Sequence, residues 1–452
     1  MTSRLNLVFL LLLGLAVGCG DSSGTGGTGG AGGEGGTGGS AGTGGSAGTG
    51  GSAGTGGSGG QGGSAGTGGT GGQAFVVPEL LSEWGLFDDI RLQIPAEGVV
   101  PFDVTSPLFT DYTVKHRFVT LTEGGQIEYF NDSRRWLSPV GTIYIKTFAY
   151  PPNKATDPPQ TLEQLIETRL LVHVAAKDDR VGCLGDDSCW NVHVYVYNED
   201  QSDAVLETGG VTKSVTFTDP LNDQQVTIEN YTVPSNGNCR QCHRRPPETR
   251  TLGPSAGMLN RGNDYQGTPV DNQIDELFGL GWLAPEPPPV DERTTYPNPV
   301  LLADECSMLP ADSQEQALCY HEAARSYLNM NCSHCHAPDG ELQDQGLFLD
   351  WANMTPEDAT FERFDTWGVC RTPTSAGNLT DQCKTKPVDI WPGDPDRSLL
   401  LCRLLSTTPG EMMPTLGRTV VDEPATAIIR RWIELLPTAF PEIPTCGAAA
   451  TN

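Results

Sequence analysis

Two stretches of the chain repeat one set of reactive side chains at one spacing: Cys239-Arg-Gln-Cys242-His243 and Cys332-Ser-His-Cys335-His336. Thiols three positions apart can add across the two vinyl groups of a porphyrin. An imidazole directly after the second thiol then reaches the iron from one side. The pattern is the attachment signature of a c-type haem, and its repetition predicts two covalently held haems, with His243 and His336 as proximal ligands. Two other chemistries use paired thiols. A thioredoxin-like pair opens a helix after a strand and does not need the histidine. A zinc site could draw on both pairs but suits an oxidising compartment poorly.

The far side of each iron needs a second ligand, normally Met or His. His336 is the last histidine, so only Met354, Met412 and Met413 follow it. Met413-Pro414 lies in the turn-rich stretch Gly410-Glu-Met-Met-Pro-Thr-Leu-Gly417, from which a thioether can reach an open haem face. Met413 is the expected sixth ligand of the second haem, Met412 is the alternative, and the bland reading is that one of the pair only fills the core. For the first haem the nearest candidate is Met258, in Gly253-Pro-Ser-Ala-Gly-Met-Leu-Asn-Arg261. A histidine of the β-rich region (His116, His173 or His193) or an open position are the alternatives. The difference matters: an open iron binds small molecules or peroxide, whereas a capped one passes electrons.

The elements that must carry these residues are legible in part. Period-two alternation in 141–148, 168–174 and 191–197, broken by Asp/Gly/Pro-rich turns, predicts an N-terminal antiparallel β-sandwich-like domain over 76–233. Residues 234–304 form a first haem segment with one short helix at 271–280, too small to enclose a haem alone. Residues 305–446 read as a mostly α-helical cytochrome c domain. There Ser313 and Gln316 predict a capping box, and Ala317, Tyr320, Ala324, Tyr327 and Leu328 share the face of a helix running into Cys332. Pro424 opens a last helix with the stripe Ile428, Ile429, Trp432, Ile433 and Leu436. Between these helices lies a long insert at 340–400. The chain is thus expected to be multidomain.

The first 75 residues stand apart. Arg4 and the apolar run from Leu5 to Val17 predict a signal peptide over 1–18, with Cys19 as a lipidated new N-terminus. Gly/Ser/Thr repeats to residue 75 predict a disordered tether. The expected location is the periplasm or cell envelope, with membrane attachment through lipid on Cys19. A net charge of −28 argues against nucleic-acid partners and suits a basic electron carrier as the redox partner, although solubility alone also favours acidic surfaces. Of thirteen cysteines, removing Cys19 and the four motif thiols leaves eight. An even number in an exported chain predicts disulfides, taken in sequence order as 183–189, 306–319, 370–383 and 402–446.

The stretches at 81–87, 139–148, 167–171 and 197–200, both Cys-x-x-Cys-His motifs, Leu259-Asn-Arg261, 392–399 and Met413-Pro414 together resemble a family of exported diheme c-type cytochromes of Gram-negative bacteria. The resemblance covers about 80–436 and implies haem binding, electron transfer and a β domain ahead of two cytochrome segments. It brings no substrate with it. The expected function is that of a diheme electron-transfer lipoprotein. A diheme peroxidase, a haem-dependent dehydrogenase with substrate on the β domain, and a partner-docking module with the haems as relay are the alternatives.

Overall fold

The computed structural model describes residues 76–175, 188–220, 222–245, 248–374 and 379–447. The alternating stretches form strands. β1 (Val100–Phe102), β2 (Val114–Thr120), β3 (Ile143–Tyr150), β4 (Gln164–Ala175), β5 (Ser188–Tyr197) and β6 (Ala204–Glu207) make one six-stranded antiparallel sheet in sequence order. Its register sets Arg117 opposite Lys146, Lys146 opposite Arg169, and Arg169 opposite Val194. Successive side chains point to opposite faces, so each strand sorts its residues between two environments.

On one face Phe118, Ile145, Leu170, Val172 and Tyr195 are buried beneath Leu81 and Leu86 of the N-terminal segment. The other face is apolar only at its two ends. At one end Tyr150, Ile166 and Val194 pack against a hairpin, β7 (Val211–Thr218) with β8 (Gln225–Val233), through Val215, Phe217, Ile228 and Tyr231. At the other, Val119 and Tyr144 meet Trp136, Leu259 and Ile274. The second layer on this face is thus a single hairpin at one end. The middle of this face carries Lys115, Arg117, Lys146, Glu167 and Arg169, charges that need partners wherever they are covered.

After the hairpin the chain becomes helical: α1 (Asn236–His243), α2 (Ala256–Leu259), α3 (Gln273–Gly279), α4 (Pro299–Ser307), α5 (Gln314–Asn331), α6 (Phe361–Thr366), α7 (Asp381–Lys384), α8 (Leu399–Leu405) and α9 (Glu423–Ala439). The helix expected at 271–280 is α3, started by the Asn272 side chain accepting from the Ile274 amide at 3.0 Å. Ser313 caps α5 as expected, accepting from the Gln316 amide at 3.1 Å. The reciprocal half of the box is redirected, because the Gln316 side chain accepts from the Asp312 amide instead. The α9 stripe is fully used: Ile428, Ile429, Trp432, Ile433 and Leu436 are all buried against α5. Burial of side chains of this size contributes roughly 1.5–3 kcal/mol each, before the entropy of ordering them.

The region 340–400 is more than an insert. Leu349, Met354, Phe364 and Trp367 lie in the same core cluster as α5 and α9. Three disulfides brace this half. Cys306–Cys319 ties α4 to α5 as expected. The other two bonds are Cys370–Cys446 and Cys383–Cys402, replacing the expected 370–383 and 402–446. The reason is tertiary: α7 packs on α8, bringing Cys383 to Cys402, while the C-terminal tail returns past Cys370. Cys189 is disulfide-bonded, while its expected partner Cys183, the signal peptide, Cys19 and the tether lie outside the described residues.

The β-rich part, the first-motif segment and the helical part belong to one compact unit. Asp111 joins them most directly. Its buried carboxylate accepts from the Thr419 and Val420 amides at 2.6 and 3.1 Å, and from the Thr419 hydroxyl. Among the described residues no helix is long and apolar enough to cross a membrane.

Candidate functional site

The first motif is helix α1 itself. Ser235 starts it, accepting the Asn238 amide on its hydroxyl and the Cys239 amide on its carbonyl. One helical turn then puts Cys239 and Cys242 on the same side, with His243 at the helix end. Cys239 is buried against the sheet in the cluster that holds Val194 and Tyr231. His243 Nδ1 lies 2.8 Å from the carbonyl oxygen of Arg250. A carbonyl can only accept, so Nδ1 carries the hydrogen and Nε2 keeps its lone pair. This is the arrangement that orients an imidazole as a metal ligand.

The second motif continues directly from α5. Cys332 is the C-cap, its amide donating to the Leu328 carbonyl at 2.8 Å. The Cys335 and His336 amides both donate to the Cys332 carbonyl, at 3.1 and 2.9 Å, so the motif closes as one tight turn. Gly340 permits the return, since a Cβ there would sit 2.3 Å from the Cys335 carbonyl oxygen. The Leu349 amide donates to the His336 carbonyl at 2.7 Å and anchors the far side. Within the described residues His336 Nδ1 is buried without a hydrogen bond of good geometry, although the Leu347 carbonyl favours its protonated form. Both motif imidazoles are held neutral, since burial pushes His243 and His336 down to about 4. Neutral imidazole is the form that binds iron.

The two motifs lie side by side. The Cys335 sulfur is 3.9 Å from the carbonyl oxygen of Gln241, inside the first motif. Arg250 and Arg135 both reach the Asp339 carboxylate, at 3.5 and 3.4 Å, across the same seam. All four motif thiols are free, whereas the other described cysteines are disulfide-bonded. Burial raises each of them, Cys239 to about 11 and Cys332 and Cys335 to about 12. Cys242 is raised as well. A thioredoxin-type redox cysteine needs its thiolate stabilised, and these thiols have the opposite environment. Among the described residues no group of three or more His, Cys, Asp or Glu side chains converges as a metal site. The zinc reading therefore finds no ligand cage there.

The remaining candidates fall in different places. Met413 is half-buried on a loop clamped at its backbone: its amide donates to Arg403, and its carbonyl accepts two bonds from the Arg418 guanidinium, at 3.1 and 2.8 Å. The same two arginines act electrostatically on the second motif, Arg403 on His336 and Arg418 on Cys332. Met412 is buried, and Met354 is part of the helical core. Met258 packs its thioether over Gly253, beside the cluster containing Trp136 and Leu259.

His116 and His193 face the side of the sheet covered by the N-terminal segment, and His116 pairs with Glu163 at 2.6 Å. His173 is bonded to the Ser138 carbonyl and stacks on Trp190. One residue escaped the sequence reading. His334, between the thiols of the second motif, is half-buried, makes no hydrogen bond among the described residues, and acts electrostatically on His243 of the first. Its place between two cysteines was a usable signal only once the motifs were known to touch. Comparison with protein-family models, curated proteins and solved structures found no match.

Proposed function

We propose that the chain is a diheme c-type cytochrome that transfers single electrons outside the cytoplasm, as a lipoprotein of the cell envelope attached through Cys19. One observation carries this reading: two Cys-x-x-Cys-His segments lie in contact, with free, protonated thiols and neutral imidazoles, in a chain whose other described cysteines are oxidised. An oxidising environment that closes three disulfides but leaves two adjacent thiol pairs open favours thiols reserved for thioether bonds. Haem c, when bound, supplies the one-electron Fe(III)/Fe(II) couple.

The protein's own residues do the rest. Cys239, Cys242, Cys332 and Cys335 would hold the porphyrins, with His243 and His336 as ligands to the irons. The Arg250 carbonyl orients the His243 ring. The Arg403–Arg418 clamp fixes the backbone of Met413, whose thioether would be the second protein ligand of the second iron. Methionine ligation raises a potential relative to two imidazoles, so the second haem would be the higher-potential partner where a histidine completes the first iron. For the first iron the candidates are Met258 and His334. The resemblance to exported diheme cytochromes is consistent with this reading, and an acidic surface suits a basic electron carrier as partner.

The test is production in a host competent for cytochrome c maturation. Pyridine haemochrome should count two haems per chain, and intact mass should exceed the processed, lipidated polypeptide by two haem groups. Colourless protein at polypeptide mass refutes the proposal.

A further inference from the structure

The sheet face that packs on the first motif carries three cations side by side on three adjacent strands. Register places Arg117, Lys146 and Arg169 directly opposite one another, with Lys115 two positions from Arg117 on the same face. Like charges in cross-strand positions destabilise a sheet unless something neutralises them. For two of the three, something does. Arg117 bonds Asp103 at 2.6 Å, and Arg169 is held by both Glu167 oxygens at 2.9 and 2.6 Å. Lys115 donates to the Thr113 carbonyl at 3.0 Å and lies within the fields of Asp111 and Asp422.

Lys146 is different. Its ammonium lies 5.0 Å from the centre of the Phe148 ring and makes no hydrogen bond or ion pair among the described residues. Burial, and then repulsion from Arg117, Lys115 and Arg169, push its pKa well below the usual lysine range, with Glu167 opposing them. A half-buried lysine in such company holds its charge only beside an anionic partner, and the described residues supply none in contact.

The first motif is the neighbour of this row. Val194 follows Arg169 on the same rung and packs in one cluster with Cys239. Tyr231 of that cluster donates to Glu167 at 2.7 Å. Lys146 and Arg169 both act electrostatically on Cys242 and His243. A porphyrin fixed at Cys239 and Cys242 brings two carboxylates of its own to this face. We propose that Lys146, at the centre of the Arg117–Lys146–Arg169 row, forms an ion pair with a propionate carboxylate of the haem on the first motif. The row is then a carboxylate-binding floor that orients that haem. This rests on the diheme reading above.

The test uses full-length, haem-loaded protein with Lys146→Met and Lys146→Arg. Haem count comes first and potentiometric titration second. Removing a cation beside a haem favours its oxidised form. Lys146→Met should therefore keep two haems and shift the oxidation equilibrium of one of them about tenfold, which is ~59 mV downward for one electron. Lys146→Arg should restore the wild-type value. Two haems with both potentials unchanged in Lys146→Met overturn the inference. So does a wild-type Soret shift on adding acetate that the variant lacks, because the site would then take a free carboxylate. Absence of haem from wild type as well refutes the diheme reading, a distinguishable failure that takes this inference with it. Should Lys146→Met not accumulate, the resonance Raman propionate-bending band of wild type and Lys146→Arg decides. A displaced band supports the pair, and identical bands overturn it.

Discussion

Acid should weaken the helical half through one buried histidine. His321 is fully buried on α5 between the rings of Trp367, Trp432 and Phe440. Its Nδ1 accepts from the Trp432 indole at 3.1 Å, and its Nε2 donates to the Met354 carbonyl at 2.9 Å. A second ring proton would point at the indole N–H and lose that bond. Burial, aided by Arg325, pushes the imidazole down from 6.5 to about 4. Between those values the unfolded chain binds a proton that the folded one refuses, so stability falls as pH falls. The contribution is complete above pH 6.5 and gone near pH 4, and 2.5 units at 1.36 kcal/mol each is about 3 kcal/mol.

Urea unfolding at pH 7 and pH 4.5, followed by tryptophan fluorescence, measures it. The comparison is with His321→Gln, whose amide can accept from Trp432 and donate to Met354 but does not titrate. Wild type should lose roughly 2–3 kcal/mol more than the variant over that interval. Equal losses in the two proteins would refute the assignment of this acid sensitivity to His321.

Three further outcomes follow from the same geometry. Met413→Ala should abolish the red-edge absorption band of an oxidised Fe–S(Met) bond while leaving the haem count at two; survival of the band would remove Met413 as ligand. Non-reducing peptide mapping should link Cys370 to Cys446 and Cys383 to Cys402. By loop-closure entropy the 76-residue separation makes the first bond worth about 4.5 kcal/mol and the 19-residue separation makes the second worth about 3. Cys370→Ser with Cys446→Ser should therefore lower Tm more than Cys383→Ser with Cys402→Ser. Asp111→Ala strips three acceptor bonds from Thr419 and Val420 and should cost about 3 kcal/mol. Because that segment adjoins the Met413 loop, the Fe–S(Met) band should weaken with it, and an unchanged Tm and spectrum would contradict the anchoring role.

What the sequence determined is what short-range covalent and helical geometry determines. Thiols at i and i+3 with an imidazole at i+4 are neighbours through local backbone geometry alone, in the helix of the first motif and in the tight turn of the second, so the two motifs were legible without a fold. The Ser313 cap, the α5 face, the α9 stripe and the strand alternation are local in the same sense. The Cys306–Cys319 bond also spans only thirteen positions, joining two consecutive helices.

Everything that joins distant parts needed the tertiary structure. Strand alternation sorts side chains between two faces but does not say what covers each face, here the N-terminal segment on one and a hairpin at one end of the other. Cys370 finds Cys446 because the tail returns past it, a proximity that no spacing encodes. Register alone sets Arg117, Lys146 and Arg169 in one row, and a one-residue slip of any strand would send its cation to the opposite face. The contact of Gln241 with Cys335, across 94 positions, likewise depends on how a β-borne helix and a helical core share one seam.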